Sequence, residues 1–230
     1  MVLSKMKQNI VITGSEGYLG TEITKFFKKK YKIHKLDLSL GHDLTDETFV
    51  KEWFSKNHAD YLINCFAVND NITKNKKKTT LFDFSLELFQ DYLNVNLVSL
   101  FSVCREFAKN NKKGSIVNFS SIYGSLSPNP SLYDKFHKDI GYSVSKAGVI
   151  NMTKYLAVHL APKIRVNCIV PGGVSQNQDK LFKKKYSNLT PMNRMMEKTE
   201  LNGILDFLCS EKSNYMTGSI IFIDGGYSAW

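Results

Sequence analysis

Tyr142 and Lys146 stand four residues apart in Tyr142-Ser143-Val144-Ser145-Lys146. On a helix that spacing stacks both side chains on one face. An ammonium beside a phenol favours the phenolate, so the pair predicts a phenol able to exchange a proton with an alcohol or carbonyl near neutral pH. The same spacing recurs at Tyr31 and Lys35, but there it straddles a strand-like run and cannot stack the two groups. A second chemistry is written in Thr13-Gly14-Ser15-Glu16-Gly17-Tyr18-Leu19-Gly20. Glycines allow a pyrophosphate to reach the backbone, and the helix start that follows offers N–H groups and a partial positive charge. This predicts a dinucleotide site. Asp37 closes the next apolar run, placed to accept a hydrogen bond from an adenosine ribose. Its carboxylate would repel a 2′-phosphate and Glu16 adds a second negative charge, so NAD(H) is expected over NADP(H).

These residues need a scaffold, and the apolar pattern supplies one. Strand-like runs fall at Asn9–Ile12, Lys32–Leu38, Tyr61–Cys65, Ser115–Phe119, Ile164–Val170 and Ser219–Ile223. Helix-like stretches fall at Tyr18–Lys30, Leu86–Asn110, Tyr142–Leu160 and Glu197–Cys209. Strands apolar throughout imply a sheet buried on both faces. The alternation predicts an α/β protein of one domain, residues 1–230, with a doubly wound parallel sheet of about seven strands and helices on both faces. Two polar stretches, Val68–Thr80 and Tyr123–Gly141, leave strand ends on the edge where such sheets bind ligands.

Composition narrows the function. The 230 residues carry a formal net charge of +10, mostly lysine in clusters at Lys28–Lys30, Lys74–Lys78 and Lys180–Lys185. Such clusters fit either solvated surfaces or an anionic partner. No nucleic-acid-binding signature accompanies them, so no nucleic-acid partner is expected. Cys65, Cys104, Cys168 and Cys209 are scattered, which predicts reduced, buried thiols and no metal site. No apolar run approaches the ~20 residues of a membrane span and Met1–Ile10 has no signal-like stretch, so the expected location is cytoplasmic, with no membrane partner.

The order of motifs resembles the compact short-chain dehydrogenases/reductases along nearly the whole chain. The elements are Thr13–Gly20, Asp43-Leu44-Thr45, Asn64–Ala67, Asn94–Leu97, Ile116–Gly124, Tyr142–Lys146, Arg165–Gly172 and Tyr215–Gly226. The resemblance implies a Rossmann fold and hydride transfer between an alcohol or carbonyl and a nicotinamide. It implies that Tyr142 is the general acid/base and that Lys146 lowers its pKa and binds the nicotinamide ribose. Ser121 would hold the reacting oxygen, with Ser120 the alternative hydroxyl, and Asn96 would kink its helix and help a water relay protons to Lys146. Gly14, Gly17, Tyr18, Leu19 and Gly20 would hold the phosphates. Asp43 and Leu44 would lie at the adenine, Asn64 and Ala67 along the adenosine, and Pro171, Gly172 and Val174 at the nicotinamide, Val174 meeting the carboxamide through its backbone.

The chain also departs from the common pattern. Its glycine spacing matches the longer sugar-nucleotide epimerase and dehydratase branch, Asn64-Cys65-Phe66-Ala67 replaces Asn-Asn-Ala-Gly, the segment after Pro171-Gly172 lacks its usual threonine, and twenty-one residues separate Ser121 from Tyr142. The insert, with Asn177-Gln178 and Asn193-Arg194-Met195, resembles oxidoreductases of bacterial flagellin modification and surface-polysaccharide synthesis. That implies a sugar, sugar phosphate or nucleotide sugar, with Lys180, Lys183–Lys185 and Arg194 available for phosphate. Apolar residues on several sides of the Leu86–Asn110 and Tyr142–Leu160 helices predict a homodimer or homotetramer. Competing expectations are a non-catalytic NAD-binding scaffold or sensor, and an epimerase-type enzyme with retained NAD.

Overall fold

Alternation of short Ile/Val runs with amphipathic segments produces one parallel sheet in the computed structural model, which describes residues 7–69, 81–133 and 137–230. The Lys74–Lys78 cluster and part of each polar stretch lie outside these residues. The strands are β1 (Asn9–Thr13), β2 (Lys32–Leu36), β3 (Tyr61–Asn64), β4 (Gly114–Phe119), β5 (Ile164–Pro171) and β6 (Ile220–Ile223), in the order β2-β1-β3-β4-β5-β6. The helices are α1 (Tyr18–Phe27), α2 (Glu47–Lys56), α3 (Leu86–Leu93), α4 (Ser99–Asn110), α5 (Ile140–Leu160), α6 (Lys180–Asn188) and α7 (Asn202–Leu208).

Among the described residues six strands stand where about seven were expected. Only residues 37–46 separate β2 from α2, too few for a further strand and its crossover. They form a tight turn at Leu38–Leu40 instead. This leaves β2 at the edge, paired on one side to β1 and largely unburied until Leu36.

Both faces of the sheet are covered. Ile10, Ile12, Ile63, Val117 and Ile169 pack against Ile23 and Phe27 of α1 and Leu205 and Leu208 of α7. Val11, Leu62, Ile116 and Val166 pack against α2, α4 and α5 through Val50, Phe54, Val103, Phe107, Val149 and Leu156. Adjacent strands with opposite-facing apolar side chains thus form two cores.

Register matters most at the sheet's C-terminal edge. Thr13 pairs with Asn64, and Asn64 with Asn118. Thr13 Oγ1 donates to Asn64 Oδ1 at 3.0 Å, Asn64 Nδ2 to Asn118 Oδ1 at 2.9 Å, and Asn118 Nδ2 to Thr153 Oγ1 at 3.1 Å. This buried chain ties three strands to α5, seven residues beyond Lys146, and fixes how α5 faces the edge. Buried polar groups satisfied in this way specify one arrangement.

The long helix expected over Leu86–Asn110 is interrupted. Asn94–Val98 forms a π turn between α3 and α4, a feature frequent at functional sites. Two helices were not anticipated. Asp46 caps α2 by accepting from Thr48 N and Phe49 N, and Asp179 caps α6 by accepting from Phe182 N. Glu197–Cys209 is a short 3-10 turn, Lys198–Leu201, followed by α7.

Candidate active site

The exits of β1, β3, β4 and β5 enclose a cleft of about 830 Å³, within the usual range for small-molecule sites. β1 lies between β2 and β3, so the chain reverses direction across the sheet here, the position at which open α/β sheets bind ligands. Gly14, Gly17, Tyr18, Leu19, Gly20, Ala67, Ser121, Tyr142, Lys146, Pro171, Gly172 and Val174 all line it.

The glycine turn is built for close approach. Gly14 has φ +66°, and a Cβ there would meet Phe66 N at 2.6 Å; a Cβ on Gly20 would meet Gly14 O at 2.0 Å. Gly17 differs, because its Cβ would meet only Gly14 O, at 3.3 Å, and would otherwise occupy cleft space. Gly17 also begins α1 without a side-chain cap, whereas Ser85, Asp46 and Asp179 cap α3, α2 and α6. The first N–H groups of α1 are therefore available to a phosphate. The residues fit a dinucleotide.

At the C-terminal end of β2, Asp37 Oδ2 accepts from Glu16 N at 2.9 Å and Oδ1 from Ser39 N and Oγ. Burial alone would raise its pKa, but these bonds outweigh burial and hold the carboxyl below its usual value. Asp37 is thus a charged strand-end cap and a ribose-facing candidate together. Glu16 adds less charge than expected, because Lys35 Nζ pairs with it at 2.7 Å. The other half of the Tyr31–Lys35 spacing is also structural: Tyr31 Oη donates to Cys209 O.

Three further expected cofactor contacts are Asn64, Leu44 and Asp43. Asn64 is 2% exposed, its side chain is spent in the strand network where it stabilises the edge, and it is not among the residues lining the cleft. Leu44 lies in the apolar core. Asp43 is exposed but holds Thr45 N and Oγ1 through one carboxylate oxygen. Cys65, in the departing Asn64–Ala67 segment, faces the cleft; burial pushes its thiol up to about 12 and keeps it neutral.

Helix α5 carries the expected tyrosine–lysine pair. Tyr142 and Lys146 share one face, with Lys146 Nζ 5.8 Å from the centre of the Tyr142 ring. Lys146 is buried and donates to Phe119 O at 2.9 Å. Burial lowers its pKa from 10.5 to about 8. Ser120 Oγ donates to Lys146 O at 2.7 Å, whereas Ser121 Oγ accepts from Tyr123 N, which leaves its proton to donate elsewhere. That distinction favours Ser121 as the active hydroxyl. Asn96, in the π turn, exchanges hydrogen bonds with Val68 N and O at 2.7 and 3.0 Å and donates to Ser145 Oγ. It anchors the exit of β3 to α5, and its amide is occupied by those groups rather than aimed at Lys146.

The loop after β5 supplies a further wall of the cleft. Val174 lines the cleft, but its carbonyl already accepts from Gln178 Nε2 at 3.0 Å. Tyr18 Oη donates to Ser175 O and bridges the glycine turn to the loop after β5. Three of the five cations expected to bind phosphate have protein partners. Lys183 donates to Ser175 Oγ and Gln176 O, Lys185 to Ser131 O, and Arg194 grips Glu200 through two nitrogens at 2.6 Å. Sequence reasoning missed Lys138, Tyr133 and Phe182, which line the cleft. Lys138 stands four residues before Tyr142, and that spacing was the available signal.

Comparisons with known proteins show the family. A family model described as Enoyl-(Acyl carrier protein) reductase matches residues 4–228. The chain is 31% identical to post-translational flagellin modification protein A of Campylobacter coli, covering 91% of this chain and 82% of that protein. It is 29% identical to a 3-oxoacyl-(acyl-carrier-protein) reductase of Aquifex aeolicus (strain VF5), covering 97% and 89%. A short-chain dehydrogenase of Leptospira borgpetersenii serovar Hardjo-bovis (strain JB197), crystallised with bound NAD+, superposes with a TM-score of 0.85 at 31% identity, over 99% of this chain and 97% of that one. The chain belongs to the short-chain dehydrogenase/reductase family and is an oxidoreductase acting on CH–OH groups.

Proposed function

We propose that the protein interconverts a secondary alcohol and a ketone on a sugar-like substrate with NAD(H), in the synthesis of flagellin or surface glycans. The carrying observation is that Tyr142, Lys146 and Ser121 share one cleft with an uncapped, glycine-lined helix start. A nicotinamide dinucleotide supplies or accepts the hydride when bound, with Gly14, Gly17, Tyr18, Leu19 and Gly20 holding its phosphates and Asp37 its adenosine ribose. In the oxidation direction the alcohol proton passes to the Tyr142 phenolate oxygen. Ser121 Oγ–H holds the same substrate oxygen, and the Lys146 ammonium stabilises the phenolate. Asn96 keeps α5 and the Val68 segment in place.

NAD(H) is favoured because the Asp37 carboxylate is held ionised at the end of β2. A carbohydrate is favoured by the lining, in which Gln176, Asn177 and Gln178 can meet hydroxyls and Tyr123, Tyr133 and Phe182 can stack on a sugar ring. The flagellin-modification relative supports the same pathway class. The test is NADH formation or consumption over sugars, sugar phosphates, nucleotide sugars and hydrophobic ketones, repeated with Tyr142→Phe. A polar subset should react, and the variant should lose about 10²-fold or more in turnover. Turnover confined to hydrophobic ketones would reject the sugar reading.

A second reading has one observation behind it. The Tyr18–Ser175 bridge spans the cofactor cleft and would slow release, as an epimerase-type enzyme with retained NAD requires. NAD found bound after purification, with no net NADH formed, would favour it. The chain acts as one domain and as a homodimer or homotetramer. Val98, Phe101, Val144, Tyr155 and Val158 leave apolar surface on α4, α5 and the π turn, a likeness to partner-seeking faces rather than solvated ones. Among the described residues no helix is long and apolar enough to cross a membrane, and the proposed site of action is the cytoplasm.

A further inference from the structure

Resting on the dehydrogenase reading above, we propose that Gln178 is a built-in competitor of the cofactor, its side-chain carboxamide occupying the backbone donor and acceptor that the nicotinamide carboxamide takes. A primary carboxamide presents N–H donors on one end and a carbonyl acceptor on the other. Its complement is an acceptor beside a donor, and the loop after β5 supplies one. Gln178 Nε2 donates to Val174 O at 3.0 Å, and Gln178 Oε1 accepts from Gln176 N at 2.7 Å. The two partners together fix which end of the amide is the oxygen. Val174, Gln176 and Gln178 all line the cleft that holds Tyr142 and Lys146. The loop thus displays a carboxamide subsite, filled by the chain's own amide.

Nicotinamide carries the same group on the ring that exchanges hydride beside Tyr142. The subsite is placed for it. β5 pairs with β4, whose end leads into Ser121, and Tyr18 Oη joins Ser175 O to the start of α1. The subsite therefore lies between the phosphate-binding turn and the hydroxyl that holds the substrate. Gln176 N has a single hydrogen, so the two carboxamides exclude each other there. The loop keeps its shape by other means. Ser175 N donates to Met196 O at 2.8 Å and Met196 N to Gly173 O at 2.9 Å, and Lys183 Nζ holds Ser175 Oγ and Gln176 O. Removing the Gln178 amide leaves Val174 O and Gln176 N in position for the ring. An internal ligand lowers apparent affinity by the fraction of chains that it keeps from binding. It also takes over the contacts as the dinucleotide leaves, which favours a cofactor exchanged at each turnover over one retained.

The test titrates NADH by fluorescence and ADP-ribose by calorimetry. ADP-ribose keeps the adenosine, the diphosphate and the second ribose but has no nicotinamide. The proteins are wild type, Gln178→Met and Gln178→Ala. Methionine keeps the side-chain length, and alanine controls for a new contact between thioether and ring. Each variant should bind NADH about tenfold more tightly than wild type, with ADP-ribose within about twofold, because only the nicotinamide competes for the two hydrogen bonds. Melting temperature without ligand should stay unchanged. The proposal is overturned when either variant binds NADH no more tightly than wild type, or when ADP-ribose tightens as much as NADH. NADH that does not bind wild type at all overturns both readings, whereas Tyr142→Phe turning over like wild type removes the dehydrogenase reading alone.

Discussion

Replacing Lys146 by methionine should abolish activity and stabilise the fold, and the two effects have one cause. Burial draws the Lys146 ammonium from 10.5 down to about 8. Each tenfold displacement is worth about 1.4 kcal/mol, so keeping this charge buried at neutral pH costs the fold about 3 kcal/mol. Methionine has a similar unbranched shape and removes the charge. It also removes the 2.9 Å bond to Phe119 O, and an abandoned buried carbonyl costs about 1–2 kcal/mol. The balance is a gain of about 1–2 kcal/mol at pH 7, or about 2–8 °C in Tm for a chain of this size. The folded pKa lies below the unfolded one, so between about pH 8 and 10.5 the unfolded wild-type chain binds more protons. Wild-type stability should rise through that window, and the advantage of Lys146→Met should shrink. Scanning calorimetry of both proteins without cofactor at pH 7, 8.5 and 10 reads this directly. A variant no more stable at pH 7, or an advantage constant to pH 10, would refute the reasoning.

Gly17→Val should keep the wild-type Tm yet weaken NADH binding about tenfold or more, because its side chain enters the cleft and meets little protein. Gly20→Ala should instead lower Tm, since its Cβ would lie 2.0 Å from Gly14 O; fluorescence titration and melting curves separate the two. Asp37→Ser should shift the ratio of kcat/KM for NADPH over NADH upward by about tenfold, because a carboxylate that would repel a 2′-phosphate is removed. An unchanged ratio would show that this carboxylate serves only the turn at Ser39. Val158→Glu, on the exposed face of α5, should yield monomers in sedimentation at micromolar concentration, with turnover per folded chain as the companion readout.

Periodicity located all six strands, because runs such as Asn9–Ile12 and Ile164–Val170 are apolar without interruption and become buried on both faces. It overlooked α2 and α6, whose apolar positions are few. Val50 and Phe54 in one, and Phe182 and Tyr186 in the other, are spaced for a helix, but lysines and acids dilute the pattern. The site was legible where backbone motifs carry it, at Gly14, Gly17, Gly20, Tyr142 and Lys146. It was less legible where function depends on which way a side chain turns. Asn64 reads the same whether it faces a ligand or Asn118, and only register decides. Arg194 and Lys183 read as free cations until the fold brings Glu200 and Ser175 to them. Lys138 was hidden because it lies just before α5, outside the helix that drew attention to Tyr142.

The short link after β2 has a cost beyond the strand count. An outermost strand with one partner exposes a row of backbone donors and acceptors, a template on which another polypeptide can grow a fibril-like extension. Lys32 and Lys35 stand along that rim, and both are exposed. Stacked copies would bring like charges together at each layer. These two lysines therefore act as gatekeepers for colloidal behaviour, discouraging sheet-to-sheet accretion on a rim that a longer chain would have covered.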